Sequence, residues 1–254
     1  MYNRNPYRLW NIVGLIAVLI VNALAQYLPL NGKTTAELSA QYPVLITPSD
    51  YAFSIWMLIY VLLIGFVFYQ LGSRTGDQPS VRSTGPWFFI SCLFNIAWVF
   101  AWHYEHVRIS VFIMIALLLT LIILYQRIRT ATSRPAAGEF IWVRLPFSLY
   151  FGWITVATIV NIAVGLYQAG WNGFGWSDAL WAIVLLAAAW VLALIIGGVF
   201  RDPFYVLVFV WAFIAIALKQ QDYENIYTVA MVGAILLLVF AIYLIFRRRN
   251  VSKW

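Results

Sequence analysis

Apolar residues in this sequence fall into long blocks separated by Pro, Gly or charged residues. Each block has roughly 17 to 25 residues and, at about 1.5 Å rise per residue, can cross a hydrocarbon layer about 30 Å thick as an α-helix. The pattern predicts an all-α fold, a polytopic bundle of about eight transmembrane helices. The predicted spans are 9–28, 51–71, 87–104, 109–127, 146–167, 178–199, 203–219 and 226–246.

The composition excludes a water-soluble fold. Hydrophobic residues make up 64% of the 254 residues and charged residues only 10%, whereas a soluble domain carries about 25% charged residues. A helix satisfies its own backbone hydrogen bonds within lipid, and the short alternating segments typical of a transmembrane β-barrel are absent from the sequence.

The basic residues predict the orientation of the chain. When the loops are assigned to alternate sides, only Lys33, Arg108 and Lys219 fall on one side. By the positive-inside rule the other side is cytoplasmic, which places both ends of the chain there. The basic residues on that side are Arg4, Arg8, Arg74, Arg82, Arg127, Arg129, Arg134, Arg144, Arg201, Arg247, Arg248, Arg249 and Lys253.

The net charge of +7 is thereby explained by topology and by contact with lipid headgroups, so membrane lipids are the expected partner and nucleic acid is not. Short loops and the bias of basic residues fit a multi-pass protein of a cell membrane, and a bacterial inner membrane best. Ala23-Leu24-Ala25 could be a signal-peptide cleavage site. The apolar run continues to Leu30, which favours a retained first helix.

Aromatic residues and amides share faces of three predicted helices. Spacings of three and seven residues put side chains on one side of a helix, and an amide inside a span costs free energy unless it has a partner. Two interpretations stay open. In the first the amides join helices, in the second they supply the directional contacts of an aromatic pocket, and both can hold together. The faces comprise Phe53, Trp56 and Tyr60; Asn95, Trp98 and Trp102; and Tyr150, Trp153, Ala157 and Asn161 with Thr158 beside them.

These motifs resemble those of the TspO/MBR family, the tryptophan-rich sensory proteins related to the mitochondrial translocator protein. The segment from Pro48 to Tyr60 resembles the start of that family's second helix, with Ser49 in place of a second proline. Leu93 to Trp98 resembles its Leu-x-Asn-x-x-Trp motif, and Trp153 to Asn161 resembles its fifth-helix motif.

The resemblance covers about residues 8–170 and implies a five-helix domain over residues 1–170, with a three-helix extension over 171–254. It also implies a pocket for porphyrins, other tetrapyrroles or sterol-like molecules, covered by a lid from Lys33 to Asp50. A porphyrin or haem-like molecule would be a ligand, since no obligatory cofactor is implied, and a homodimer is left open. The residues expected to form the pocket are Pro48, Tyr51, Phe53, Trp56, Tyr60, Asn95, Trp98, Trp153, Thr158 and Asn161.

No constellation of residues indicates catalysis. The predicted spans carry no ionisable residue near their centres, which argues against hydrolytic chemistry and proton-coupled transport within the membrane. His103 and His106 flank a short outer loop with Glu105, but further metal ligands are not evident, so we predict a solvated interfacial loop and no metal site. Cys92 is the single cysteine, which excludes an internal disulfide.

The preferred hypothesis is a membrane sensor or carrier for a tetrapyrrole or a lipid-like aromatic molecule. The alternative is a small-solute transporter that uses all eight helices, although no inverted internal repeat is evident. A third hypothesis is a non-catalytic partner subunit. The extra helices contain Trp181, Trp190 and Trp211, and we expect them to enlarge the bundle or to form a contact surface.

Overall fold

The computed structural model describes residues 5–28 and 30–251, and within this part the regular structure is helical throughout. Arg4 and Lys253, which contribute to the predicted orientation, lie outside the described residues. The side chains of Arg248 and Arg249 lie outside them as well.

Eight apolar helices match the eight predicted spans. Six are long and apolar enough to cross a membrane, and two shorter apolar helices, Trp87–His103 and Pro203–Lys219, complete the set among the described residues. The prediction of a polytopic all-α membrane protein is confirmed. The helices are α1 (Arg8–Tyr27), α2 (Ile55–Leu71), α3 (Trp87–His103), α4 (Val107–Ala131), α5 (Leu145–Gln168), α6 (Asp178–Phe200), α7 (Pro203–Lys219) and α8 (Glu224–Val251).

The fifth span starts earlier than the sequence predicts. A helical segment of 32 residues runs from Ala137 to Gln168, and it contains a π-helical turn at Phe140–Arg144 just before α5. Arg144 is buried in this turn, and its guanidinium donates a hydrogen bond to the carbonyl oxygen of Thr132. The charged residue is tolerated because a backbone carbonyl satisfies one of its donors.

The hairpin between α6 and α7 shows how local chemistry ends one helix and begins the next. Arg201 adopts a left-handed conformation (φ 49°) and ends α6. The buried carboxylate of Asp202 then accepts hydrogen bonds from the N–H groups of Phe204 (3.2 Å) and Tyr205 (3.4 Å). Pro203 lies in the first turn of α7, where its lack of an N–H leaves no donor without a partner. The sequence Asp-Pro therefore favours the start of a helix.

The chain forms two compact units, and the boundary between them falls within α5. Unit 1 comprises Met1–Leu38 and Ser54–Ile154, and unit 2 comprises Ser39–Phe53 and Thr155–Trp254. The predicted domains, 1–170 and 171–254, follow the extent of the family resemblance, whereas the two units are defined by contacts between residues. The predicted domains therefore stay a prediction.

In unit 1, α1 packs against α2 and α3, and α3 packs against α4. Three buried phenylalanines from three helices form the centre of this packing. The ring of Phe66 lies 5.3 Å from that of Phe88 and 5.0 Å from that of Phe147, and the last two rings are 5.5 Å apart. All three pairs meet edge to face, the arrangement that aromatic quadrupoles favour.

In unit 2, α7 packs against both α6 and α8 and is the most enclosed of the three. Tyr205, Phe209 and Phe213 on α7 are all buried. Gly197 allows α6 to approach α7 closely, since a Cβ at this position would overlap a methyl carbon of Val206. A helix that is apolar on every side is expected at such a central position.

A buried amide pair joins α1 to α2 within unit 1. Asn11 donates from its side-chain amide to Gln70 Oε1 (3.1 Å), and Gln70 donates to the carbonyl oxygen of Arg8 (3.4 Å). Both amides are almost completely buried. Removing Gln70 would leave the Asn11 side-chain N–H without its acceptor, and removing Asn11 would leave Gln70 Oε1 without its donor.

We expect Gln70→Leu and Asn11→Leu each to lower the free energy of unfolding by about 1–2 kcal/mol, because each leaves one buried polar atom of the remaining amide without its partner. The double variant should cost less than the sum of the two, with a coupling of about 0.5–1.5 kcal/mol. Equilibrium unfolding in mixed micelles measures both quantities. Gln126→Leu, at an exposed glutamine on α4, is the control. Strictly additive costs would contradict the prediction.

Candidate ligand-binding site

The ten predicted site residues are divided between the two units. Unit 1 contains Trp56, Tyr60, Asn95, Trp98 and Trp153. Unit 2 contains Pro48, Tyr51, Phe53, Thr158 and Asn161. Their role as one ligand pocket stays a prediction, and the contacts within each unit are as follows.

In unit 1 an aromatic group forms around Trp56. Its ring stacks on that of Tyr60, with centroids 5.2 Å apart and an interplanar angle of 20°. The ring of Tyr150, from α5, meets Trp56 edge-on at 5.8 Å. The four-residue spacing between Trp56 and Tyr60 on α2 makes the stacking possible, because such residues lie one turn apart on the same face.

A polar group lies beside these rings and joins three helices. Asn22 of α1 donates a hydrogen bond to Asn95 Oδ1 (2.9 Å) and another to the carbonyl oxygen of Val18 (2.9 Å). The hydroxyl of Tyr150, on α5, lies close to the side chains of Asn95 and Ser91 and interacts with them. The first interpretation of Asn95, a link between helices, is therefore confirmed. That role leaves the second interpretation, a contact to ligand, open.

The hydroxyl of Tyr60 is buried in this group and has no hydrogen-bond partner among the described residues. Leaving such a hydroxyl unsatisfied costs about 1–3 kcal/mol. A ligand with an acceptor atom at this position would offset that cost. Trp98 stacks on Trp102 with centroids 5.8 Å apart, and both rings are buried, as is Trp153.

In unit 2 the segment that contains Pro48 and Tyr51 is held by α7. The N–H and the hydroxyl of Ser49 both donate to the carbonyl oxygen of Ala215, at 3.1 and 2.9 Å. Trp211 donates from its indole N–H to the carbonyl oxygen of Ala52 (3.0 Å), and its ring meets Tyr51 edge-on at 5.2 Å. Pro48 is buried and Phe53 half-buried in this segment.

The part of α5 in unit 2 is also connected to α7. Thr158 and Asn161 are buried. One turn before Thr158, the hydroxyl of Thr155 accepts a hydrogen bond from the Tyr205 hydroxyl of α7 (3.3 Å). The predicted polar stripe on α5 therefore lies in the interior of the unit, as the cost of burying amides in lipid requires.

His103 is buried, so the prediction of a solvated loop is wrong for this residue. Its Nδ1 lies 2.8 Å from the carbonyl oxygen of Val99, which can only accept, so Nδ1 carries the proton. Nε2 is left as an acceptor for the Thr35 hydroxyl at 3.4 Å. Glu105 and His106 are exposed. Among the described residues no three His, Cys, Asp or Glu are grouped to hold a metal ion.

The start of the predicted lid, and the residues just before it, are joined to the end of α3 and the residues that follow it in unit 1. Asn31 donates to the carbonyl oxygen of His103 (3.0 Å), and Lys33 pairs with Glu105 at 3.3 Å. The ion pair is exposed to water and therefore contributes little to stability. A short helix, Thr35–Ala40, follows.

Sequence reasoning missed several of these contacts. The acceptor at Ala215 is a backbone carbonyl, which no side-chain pattern reveals, and the spacing of Trp211 on its helix predicts only a packing role. Asn22 did carry a signal, because an amide in the first span requires a partner. The pattern did not say which of the other amides that partner is.

The family model for TSPO-like proteins matches residues 8–243. The match extends beyond residue 170 and includes α6 and α7 completely, so the last helices are part of the matched region. No curated protein and no solved structure matches the chain.

We expect Ser49→Ala to remove one of the two bonds to Ala215 and Ser49→Pro to remove both, because proline has no N–H. Each lost bond should cost about 1 kcal/mol of local stability. Hydrogen exchange of residues 39–53 should be faster in Ser49→Ala than in the unsubstituted protein, and fastest in Ser49→Pro. Ser54→Ala is the control, since Ser54 is exposed and its side chain makes no capping hydrogen bond. Equal exchange rates in the alanine and proline variants would show that the N–H contributes nothing.

A second prediction concerns pH. Thr34 N–H donates to Glu37 Oε2 (2.7 Å) and Glu37 N–H donates to Thr34 Oγ1 (3.2 Å), which forms a capping box at the start of Thr35–Ala40. The Thr34 N–H lowers the pKa of Glu37 below its ordinary value of 4.5. A lowered pKa means that the stabilisation is complete above that value and is lost as the pH falls through the lowered pKa.

Hydrogen exchange of Thr35–Ala40, corrected for intrinsic rates, should therefore be faster at about pH 3 than at about pH 6. Glu37→Gln should remove most of this difference, because its amide oxygen accepts the hydrogen bond at either pH. An unchanged pH response in that variant would assign the effect to another group.

Proposed function

Because the chain belongs to the TSPO-like family, we propose that it is a ligand-binding protein of the membrane. It would act as a sensor or carrier for a flat, largely apolar ring system. A tetrapyrrole such as a porphyrin, or a sterol-like molecule, has this chemistry. The proposal assigns no catalytic step to the chain.

The observation that carries the proposal is the aromatic group around Trp56 with the buried hydroxyl of Tyr60 in it. Rings stack on flat ligands, and a few placed polar groups orient a ligand in an apolar site. Tyr60 offers a donor that no described residue uses. Asn95 and Tyr150 add a fixed polar group beside the rings.

The remaining predicted residues extend the proposed site. Trp98 and Trp153 would add ring surface, and Asn161 and Thr158 would add polar contacts. Pro48, Tyr51 and Phe53 would close the site as part of the lid. The anchoring of Ser49 and Ala52 by α7 supports a lid with a defined conformation.

We further propose that both ends of the chain are cytoplasmic and that the membrane is a bacterial inner membrane. The distribution of basic residues supports this orientation. At the end of α8, the Arg247 guanidinium lies 5.9 Å from the ring centroid of Tyr243. An aromatic ring and a cation together at a span end are typical of anchoring at lipid headgroups.

A small-solute transporter is the second candidate. The family match runs through α6 and α7, and α7 holds the segment that precedes α2. A path built from all eight helices would account for both findings. Uptake of a solute into vesicles that contain the purified protein would favour this candidate, whereas saturable binding without flux favours the sensor or carrier.

The first test is a titration of the detergent-purified protein with protoporphyrin IX, followed by porphyrin absorbance. We expect saturable binding that Trp56→Leu weakens about tenfold, because a stacking ring is lost. Trp10→Leu is the control, since Trp10 is 55% exposed and lies outside the predicted site. Equal effects of the two substitutions, or binding that does not saturate, would contradict the proposal.

Tyr60→Phe provides a sharper test, because it removes only the hydroxyl. A purely structural Tyr60 predicts a protein that is more stable and binds unchanged, since the variant removes an unsatisfied buried group. The proposal predicts that the apo protein becomes more stable while its affinity for protoporphyrin IX falls about fivefold, the cost of one lost hydrogen bond. Thermal unfolding and the same titration measure the two effects.

A further inference from the structure

Unit 2 contains a cavity of about 380 Å³ that none of the ten predicted site residues lines. Residues Pro43 to Ile46, the end of α5 and the first turns of α6 surround it. Its volume falls within the range of about 300–1,000 Å³ that is usual for small-molecule sites. The cavity is therefore large enough for a ligand of its own.

Aromatic rings form one side of this cavity. Trp171 and Trp181 both line it, and their centroids are 4.8 Å apart. Trp181 is the centre of a larger cluster, with Trp176 at 5.3 Å and Phe174 at 6.3 Å. The faces of indole rings carry negative potential and attract cations.

The loop between α5 and α6 is shaped to hold Trp181. The indole N–H of Trp181 donates to the carbonyl oxygen of Gly173 at 2.7 Å. A Cβ on Gly173 would lie 2.8 Å from that indole nitrogen, so only glycine fits. Phe174 has a positive φ of 56°, and its N–H donates to Asn172 Oδ1 at 3.2 Å. The position of Trp181 is thus set by the loop backbone.

The residues that line the cavity carry charge of one sign only. Asp178 is the single acidic residue among the residues that line the cavity, and Lys, Arg and His are absent from that lining. Asp178 lies in the first turn of α6, where the helix end carries about half a positive charge. A full carboxylate charge exceeds that value, so the lining keeps a net negative charge at the exposed Asp178.

We propose that this cavity binds an organic cation with an apolar body, such as a quaternary ammonium compound or a protonated amine. The cationic group would lie between the Asp178 carboxylate and the rings of Trp171 and Trp181. The apolar body would contact Leu166 and Leu185, which line the cavity. A carboxylate together with aromatic faces is the combination that recognises quaternary ammonium groups. The Asp178 carboxylate would repel an anionic ligand, since the lining contains no basic residue that would offset the repulsion.

The rings have a simpler explanation, because Trp at span ends commonly anchors a helix at the membrane interface. Trp171 and Trp176 distinguish the two explanations. Both belong to the same cluster and both are exposed, at 37% and 51%, but only Trp171 lines the cavity. An anchoring role predicts similar effects of replacing them, whereas ligand binding predicts that only Trp171 matters.

The test is calorimetric titration, in a maltoside detergent, with phenyltrimethylammonium and with its neutral carbon isostere tert-butylbenzene. Titrations of micelles alone are subtracted. A detergent without choline is needed, because a choline headgroup is itself a quaternary ammonium group. We expect the cation to bind at least about tenfold more tightly than the isostere.

Asp178→Asn should weaken binding of the cation about tenfold and leave the isostere unchanged, because only the charge is removed. Ser177→Ala is the matched control. Its hydroxyl caps α6 by accepting from Leu180 N–H at 3.3 Å, so this variant perturbs the same helix start and keeps the carboxylate. Trp171→Leu should weaken binding of the cation, and Trp176→Leu should not.

Three results would each overturn the proposal. The isostere could bind as tightly as the cation, Asp178→Asn could leave cation binding unchanged, or Ser177→Ala could weaken it as much as Asp178→Asn does. Thermal unfolding of each variant establishes that the protein is folded. A fourth result would also overturn it: if Trp171→Leu and Trp176→Leu weaken cation binding equally, the Trp171 ring is an interfacial anchor and not a contact to the cation.

Discussion

A lipid bilayer offers no water to a polar group, so each amide or hydroxyl inside a span must find its partner within the protein. The described contacts follow this constraint. Asn11 pairs with Gln70 and Asn22 with Asn95 in unit 1, and Tyr205 donates to a threonine hydroxyl in unit 2. These few directional contacts select neighbours for helices that are otherwise uniformly apolar. Some buried polar atoms still have no partner among the described residues, namely the Tyr60 hydroxyl, Asn11 Oδ1 and the indole N–H of Trp190.

Helix positions could be predicted from the sequence because they depend on one-dimensional information, namely the length of apolar blocks and the residues that interrupt them. The fifth span is the exception: its helical segment begins at Ala137, since a π-helical turn and a backbone acceptor for Arg144 allow the helix to pass through a charged position. The contacts between particular helices could not be predicted in the same way. An asparagine requires a partner, but its own sequence position does not say which helix supplies it.

The position of Ser49 illustrates the same limit at the candidate site. The resemblance places a proline there, and a proline could make neither of the hydrogen bonds that Ser49 makes to Ala215. The acceptor is a main-chain carbonyl of α7, which leaves no trace in a pattern of side chains. Helices first interpreted as an extension therefore hold the segment before α2. The family match includes α7, which agrees with its role in holding the segment before α2.

The segment from Pro43 to Ala52 has two roles within unit 2. Its first part, Pro43 to Ile46, lines the cavity beside the Trp171 and Trp181 rings, and its later part is fixed to α7 through Ser49 and Ala52. Few residues separate the two parts, so a ligand in the cavity would contact a chain segment with little freedom to move away. A wall fixed at one end by three hydrogen bonds gives up little conformational entropy on binding. The hydrogen bonds to α7 would thus favour binding in the cavity, although α7 itself would not contact the ligand.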